Sequence, residues 1–131
     1  AKQFLSEVLP RLTGADLGGA LGLRVFLWDR RLFTRRLFRM PDATSCVSVG
    51  ILREPALDAA AKERALAGNR ELFERARALG GTLYPYAALA LTRDDWRRHY
   101  AEQWPALLAA KRQYDPDDVL ASGPDLHLAA S

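Results

Sequence analysis

The sequence is poor in the residues that build disulfides, metal sites and nucleophilic triads. Its single cysteine, Cys46, has no partner within the chain. An internal disulfide is thereby excluded, and a reducing, cytoplasmic setting is the expectation. Cys46 lies in an apolar run and reads as a small buried hydrophobe rather than a nucleophile. The two histidines, His99 and His127, are far apart, so with one cysteine they make no metal-ligand pattern. No apolar run reaches the roughly 20 residues that span a bilayer, and no signal peptide is visible. Also missing are a glycine-rich phosphate loop and the G-x-S-x-G, H-E-x-x-H and C-x-x-C motifs. There are no repeats and no low-complexity segments.

What is present suits one folded domain over 1–131: 49% of its 131 residues are hydrophobic, enough to bury a core without staples. The first residue is alanine, which fits a fragment or a processed chain. The formal charge is +3, and much of the excess sits at Arg30, Arg31, Arg35, Arg36 and Arg39. These arginines alternate with Leu32, Phe33, Leu37 and Phe38 rather than with polar residues. That argues against nucleic acid. It leaves a solvated edge, or a surface for an anionic partner such as a cofactor phosphate or another domain.

Apolar spacing predicts a helix over 2–12, shortened or bent at Pro10. Gly14, Gly18 and Gly19 make a loop. Leu21–Trp28 reads as a strand with Arg24, Phe26 and Trp28 on one side. A second strand runs from Cys46 to Arg53. The longest helix covers 56–79 and stops at Gly80-Gly81. Thr82–Tyr86 reads as a short edge or terminal strand because of Pro85. Thr92 caps a further helix, with Asp94 and Asp95 in its first turn. Trp96, Tyr100 and Trp104 then share one face, and Pro105 kinks or restarts the helix. Asp115-Pro116 predicts one last turn of helix, ended by Gly123-Pro124. This order gives an α+β fold, an antiparallel sheet with helices on one face. It is a split ferredoxin-like unit without its first strand, which implies further protein before residue 1.

One constellation stands out. Arg24, Phe26 and Trp28 share a strand face, and Tyr84 and Tyr86 share another. On one sheet surface they make an apolar floor with a few polar tips, the character of a small-molecule site. The alternative is plain core under helices. His99 reads as a packing or surface residue, and the scattered glutamates as solvated charge.

The run Trp96-Arg97-Arg98-His99-Tyr100, then Trp104, Lys111, Tyr114-Asp115-Pro116, Val119-Leu120 and Gly123-Pro124 resembles the closing signature of a known family. It is similar to the C-terminal FAD- and cytokinin-binding domain of cytokinin dehydrogenases, FAD-linked oxidases of the vanillyl-alcohol-oxidase superfamily. "LFRMPD" at Leu37–Asp42, "CVSVGILRE" from Cys46, Asn69, "ARALGG" and "YPY" extend the likeness over about residues 20 to 128. The resemblance implies the substrate domain of a two-domain flavoenzyme. Its partner is an N-terminal FAD-binding module of the same protein. The flavin-linking histidine and the catalytic aspartate lie in that upstream module, so no residue here is catalytic. Tyr86 falls on the tyrosine that touches the flavin, and Ala87 on a neighbouring leucine at the substrate. Trp28 falls on an asparagine that lines the substrate; Phe26 and Tyr84, read from the strand faces alone, complete the expected substrate-binding set. Pro124 stands where a glutamine contacts the cofactor, and Ser122 replaces a proline. The exchange of asparagine for Trp28 implies a small amine or alcohol other than cytokinin as the substrate, oxidised by hydride transfer to FAD. Also implied are no nucleic acid, no membrane and a homodimer as a further assembly. The competing expectation is a non-catalytic ferredoxin-like binding or dimerisation module.

Overall fold

The computed structural model describes residues 1–14, 22–52, 58–85 and 88–120. They fall into two compact units: Ala1–Thr34 with Met40–Thr82, and Arg35–Arg39 with Leu83–Ser131.

In the first unit, helix α1 (Lys2–Val8) tightens into a 3₁₀ turn at Leu9–Arg11, with Pro10 near its start. Proline is tolerated there because the N–H it lacks has no helical partner. Strand β1 (Leu23–Asp29) pairs antiparallel with β2 (Ser45–Ile51), in register from Leu23 opposite Ile51 to Asp29 opposite Ser45. Helix α2 (Ala59–Ala78) follows, its first turn closed by Asp58, whose carboxylate accepts the Ala61 N–H at 2.7 Å. It ends through Gly80 at φ +77° and a 2.8 Å bond from the Gly81 N–H to the Ala76 carbonyl. This is the left-handed glycine stop. Helix α1 lies against α2. Arg75 fastens the pair by a forked contact on Glu7, at 2.5 Å through Nε and 2.6 Å through Nη2.

In the second unit, α3 (Arg93–Tyr100) begins with a capping box. Thr92 Oγ1 accepts the Asp95 N–H at 3.2 Å, and Asp95 Oδ2 accepts the Thr92 N–H at 3.0 Å. A 3₁₀ turn at Ala101–Gln103 leads to α4 (Trp104–Tyr114), where Pro105 occupies the first turn. The core is Trp96, Tyr100 and Trp104, backed by Leu83, Leu91, Leu107 and Leu108. The fourfold spacing stacks the rings along one face, with centroids 6.0 Å and 6.4 Å apart.

The class is therefore α+β with an antiparallel sheet, as the sequence implies. Two details differ. The predicted strand at Thr82–Tyr86 is not formed over residues 82–85. Pro85 has no N–H for a ladder, Leu83 joins the Trp96 cluster, and Tyr84 turns its ring to Phe38. The split ferredoxin-like unit thus lacks that strand among the described residues. The predicted helical turn at Asp115-Pro116 is instead a knot of hydrogen bonds around one carboxylate. Asp115, only 3% exposed, receives the N–H groups of Val119 at 2.9 Å and Leu120 at 3.2 Å, and pairs with Lys111. Lys111 also meets Asp118 at 2.7 Å. The Lys111 ammonium holds the Asp115 carboxyl below the ordinary carboxylate range, and the two backbone bonds act in the same sense. Gly123 and Pro124 lie outside the described residues.

Candidate functional site

In β1 the period-two alternation sends Arg24, Phe26 and Trp28 to one face, opposite Gly50, Ser48 and Cys46 of β2. Leu23, Val25 and Leu27 point the other way. Phe26 is 50% exposed and Trp28 38%, so their face is open in this unit, not a sealed core.

The loop after β1 shapes that face. Asp29 caps the 3₁₀ turn Arg30–Leu32 by accepting the Arg31 N–H at 2.9 Å. The Arg31 guanidinium closes on the same carboxylate at 2.6 Å. This arginine keeps the Asp29 carboxyl ionised below its ordinary range. The Arg30 N–H bonds the Thr44 carbonyl at 3.0 Å, tying the loop to the start of β2. The chain therefore doubles back and delivers Phe33 edge-on to Trp28, with centroids 5.5 Å apart at 90°. Phe26 flanks the indole on another side at 5.8 Å. The indole N–H donates to Ser48 Oγ at 2.8 Å. Cys46, opposite Trp28 in register, is buried, its thiol 3.7 Å from the Pro41 carbonyl oxygen.

The result is an exposed aromatic surface in which Phe26 is tilted by 37° and Phe33 stands edge-on to Trp28, with Arg24 and Ser48 as its polar side chains. Its described side chains include no carboxylate or imidazole. The set Phe26 and Trp28 comes together as expected. Ser48 and Phe33 were not singled out by the sequence. The alternation puts Ser48 on a strand face, but only the register sets it opposite Phe26 and one step from Trp28.

Tyr84 belongs to the second unit. It is exposed, with its ring 5.5 Å from Phe38. Tyr86, Ala87 and Pro124 lie outside the described residues. His99 is half-buried, edge-on to Tyr100 at 4.9 Å and to Trp96 at 5.9 Å. Burial and the nearby Arg39 guanidinium push its imidazole below the ordinary histidine range. Arg39 itself pairs with Glu102 at 3.7 Å. The arginine cluster is thus partly engaged inside the fold: Arg31 by Asp29, Arg30 by the Phe33 carbonyl at 3.3 Å, and Arg39 by Glu102. Among the described residues no group of three His, Cys, Asp or Glu can hold a metal ion, and no helix is long and apolar enough to cross a membrane.

The chain is 32% identical over 122 residues to a protein of Rhodococcoides fascians named "Uncharacterized oxidoreductase ORF5 in fasciation locus". That match covers 93% of this chain and 27% of the relative, so the chain spans about a quarter of that protein. No solved structure matches it. Residues 25–127, which hold most of β1 and all of β2, α2, α3 and α4, match one family along their whole length. The chain belongs to that family, described as "Cytokinin dehydrogenase 1, FAD and cytokinin binding".

Proposed function

We propose that this chain is the C-terminal substrate-binding domain of an FAD-dependent oxidoreductase that oxidises a small amine or alcohol by hydride transfer to the flavin. The observation that carries the reading is the open aromatic face of β1, in a family whose description includes FAD and cytokinin. A planar ring system or a small apolar substrate suits such a face because offset and edge-on aromatic contacts reward flat partners. In this reading Trp28 and Phe26 are substrate residues of the first unit; Tyr84 and Ala87 are proposed for the substrate and Tyr86 and Pro124 for the cofactor, the last three on family likeness alone.

The fit to FAD is partial. The exposed carbon surface of Phe26 and Trp28 is assigned to the substrate, and the sequence holds no glycine-rich loop for the cofactor's pyrophosphate. Tyr86 and Pro124 would therefore hold only the ring end, and an N-terminal module of the same polypeptide would hold the rest. When bound, the flavin supplies the hydride acceptor; that chemistry is the cofactor's own. This chain supplies shape: the pinned indole limits the poses open to the substrate, and the apolar floor keeps water from the reacting bond. The bulk of Trp28, where the family has an amide side chain, removes a hydrogen-bonding group and narrows the space. It directs the site toward a small amine or alcohol. The protein works in the cytoplasm, in keeping with an unpaired Cys46 thiol, and a second copy of the chain is its candidate assembly partner.

The test is steady-state kinetics on the polypeptide of the complete gene. Trp28→Ala should raise KM for the amine or alcohol. Unchanged KM and kcat would overturn the assignment of this face.

A further inference from the structure

We infer that Ser48 is a positioning and specificity-determining residue: by accepting the Trp28 indole N–H it locks the ring's plane and removes the ring's only polar atom from the substrate's reach. The inference rests on the reading of the Phe26–Trp28 face as the substrate surface.

Three observations carry it. The first is geometry. The bond is 2.8 Å long and crosses the strand pair diagonally, because Trp28 sits opposite Cys46 in register and Ser48 sits opposite Phe26. Strand pairing uses backbone groups alone and does not need this bond. The second is the setting. Trp28 is exposed and Ser48 is exposed too. A surface indole in water loses little by hydrogen bonding to solvent instead, so a defined side-chain acceptor has its main effect on orientation. The third is the remaining support. Phe33 stands edge-on to the indole and Phe26 lies tilted by 37°. These are contacts between carbon surfaces and offer no acceptor to the indole N–H. Ser48 supplies the polar stop.

The consequence is chemical. Tryptophan has one hydrogen-bonding atom, the indole N–H donor. With that donor spent on Ser48, Trp28 shows the substrate carbon surface only. The site then selects for a flat or apolar group at this position and against one that needs a donor there. If Ser48 is lost, the substrate must order the ring itself on binding. The cost is that of immobilising one side chain, which corresponds to about a two- to tenfold rise in KM. Chemistry at the flavin is untouched, so kcat stays close to that of the wild type, the pattern of lost uniform binding.

The experiment uses the polypeptide of the complete gene, with Ser48→Ala, Ser48→Thr, Trp28→Phe and the double variant Trp28→Phe/Ser48→Ala. The first readout needs no substrate. The Trp28 indole N–H resonance, identified by its loss in Trp28→Phe, should exchange with solvent faster in Ser48→Ala and recover in Ser48→Thr. Equal exchange in the wild type and Ser48→Ala would overturn the inference. The second readout is turnover of benzylamine and benzyl alcohol. Ser48→Ala should raise KM about two- to tenfold with kcat little changed. Ser48→Thr should restore it, and the double variant should be no worse than Trp28→Phe, because Ser48 acts through the indole. A double variant with fully additive losses overturns that route. If Trp28→Phe raises KM and Ser48→Ala does not, the inference about Ser48 falls and the reading of the face stands. If neither variant changes KM, or the wild type turns over neither compound, the reading of the face falls and the inference with it.

Discussion

Replacing Ala101 by glycine should stabilise the chain, although the same exchange elsewhere in its helices should weaken it. Ala101 ends α3 at φ +45° and ψ −119°, with its N–H on the Arg97 carbonyl. This is the first central position of a type II′ turn, which glycine favours because an L side chain crowds its own backbone there. Backbone held in so sparse a region costs about 1–3 kcal/mol. Glycine removes that strain but frees the unfolded chain, at a cost of about 0.4–1 kcal/mol. Ala101 is exposed, so no packing is lost with its methyl group. The net gain is about 1 kcal/mol. For a urea m-value of about 2 kcal/mol/M, the midpoint rises by about 0.5 M. Ala109 lies exposed inside α4, with ordinary helical neighbours. There Ala109→Gly should lose about 1 kcal/mol. The assay is urea unfolding followed by tryptophan fluorescence, since Trp96 and Trp104 flank Ala101 in the second unit. A midpoint for Ala101→Gly that stays put or falls would refute the left-handed backbone assigned to this corner. Ala101→Val should fall well below the wild type, because β-branching worsens the same clash.

Other perturbations follow from the same geometry. Gly81→Ala would place a methyl carbon 2.8 Å from the Ala76 carbonyl oxygen, a backbone atom that cannot yield; its unfolding midpoint should fall, and an unchanged midpoint would contradict the tight glycine stop of α2. Trp104→Ala empties the centre of the second unit and should cost about 3–5 kcal/mol, with loss of the near-ultraviolet circular dichroism of the stacked rings. Because the folded state holds the His99 imidazole below its ordinary range, the unfolded chain binds the histidine proton more readily. Stability should therefore be full above the unfolded pKa of about 6.5 and decline as the pH falls through that value toward the lower folded one. His99→Phe should abolish that slope in urea titrations at pH 7.5 and 5.5, pH values chosen roughly one unit either side of the free imidazole.

Much of the frame was legible from spacing alone. Trp96, Tyr100 and Trp104 recur every four residues and do form a stacked face. Thr92 and Asp95 read as a helix start and make a reciprocal cap. Gly80-Gly81 reads as a stop and is one. Asp115 shows why the rest was not. Asp-Pro is a sound helix-start signal, but a carboxylate can serve any donor in reach. Here Lys111, one helical turn back, and the N–H groups of Val119 and Leu120 claim it first. The third strand failed for a related reason. Local β-propensity in Leu83 and Tyr84 gave way to tertiary contacts on Trp96 and Phe38. The candidate site divides in the same manner. Phe26 and Trp28 follow from alternation, whereas the Ser48 contact depends on strand register, which one sequence does not display. The assignments of Tyr86, Ala87 and Pro124 rest on family likeness.

The most direct test of the central claim is the visible absorption spectrum of the protein purified from the complete gene. A flavin band, bleached anaerobically by an amine or an alcohol, is the predicted result. A full-length protein that is colourless, and stays colourless when FAD is added, would contradict the account and return the Phe26–Trp28 face to a partner-binding surface.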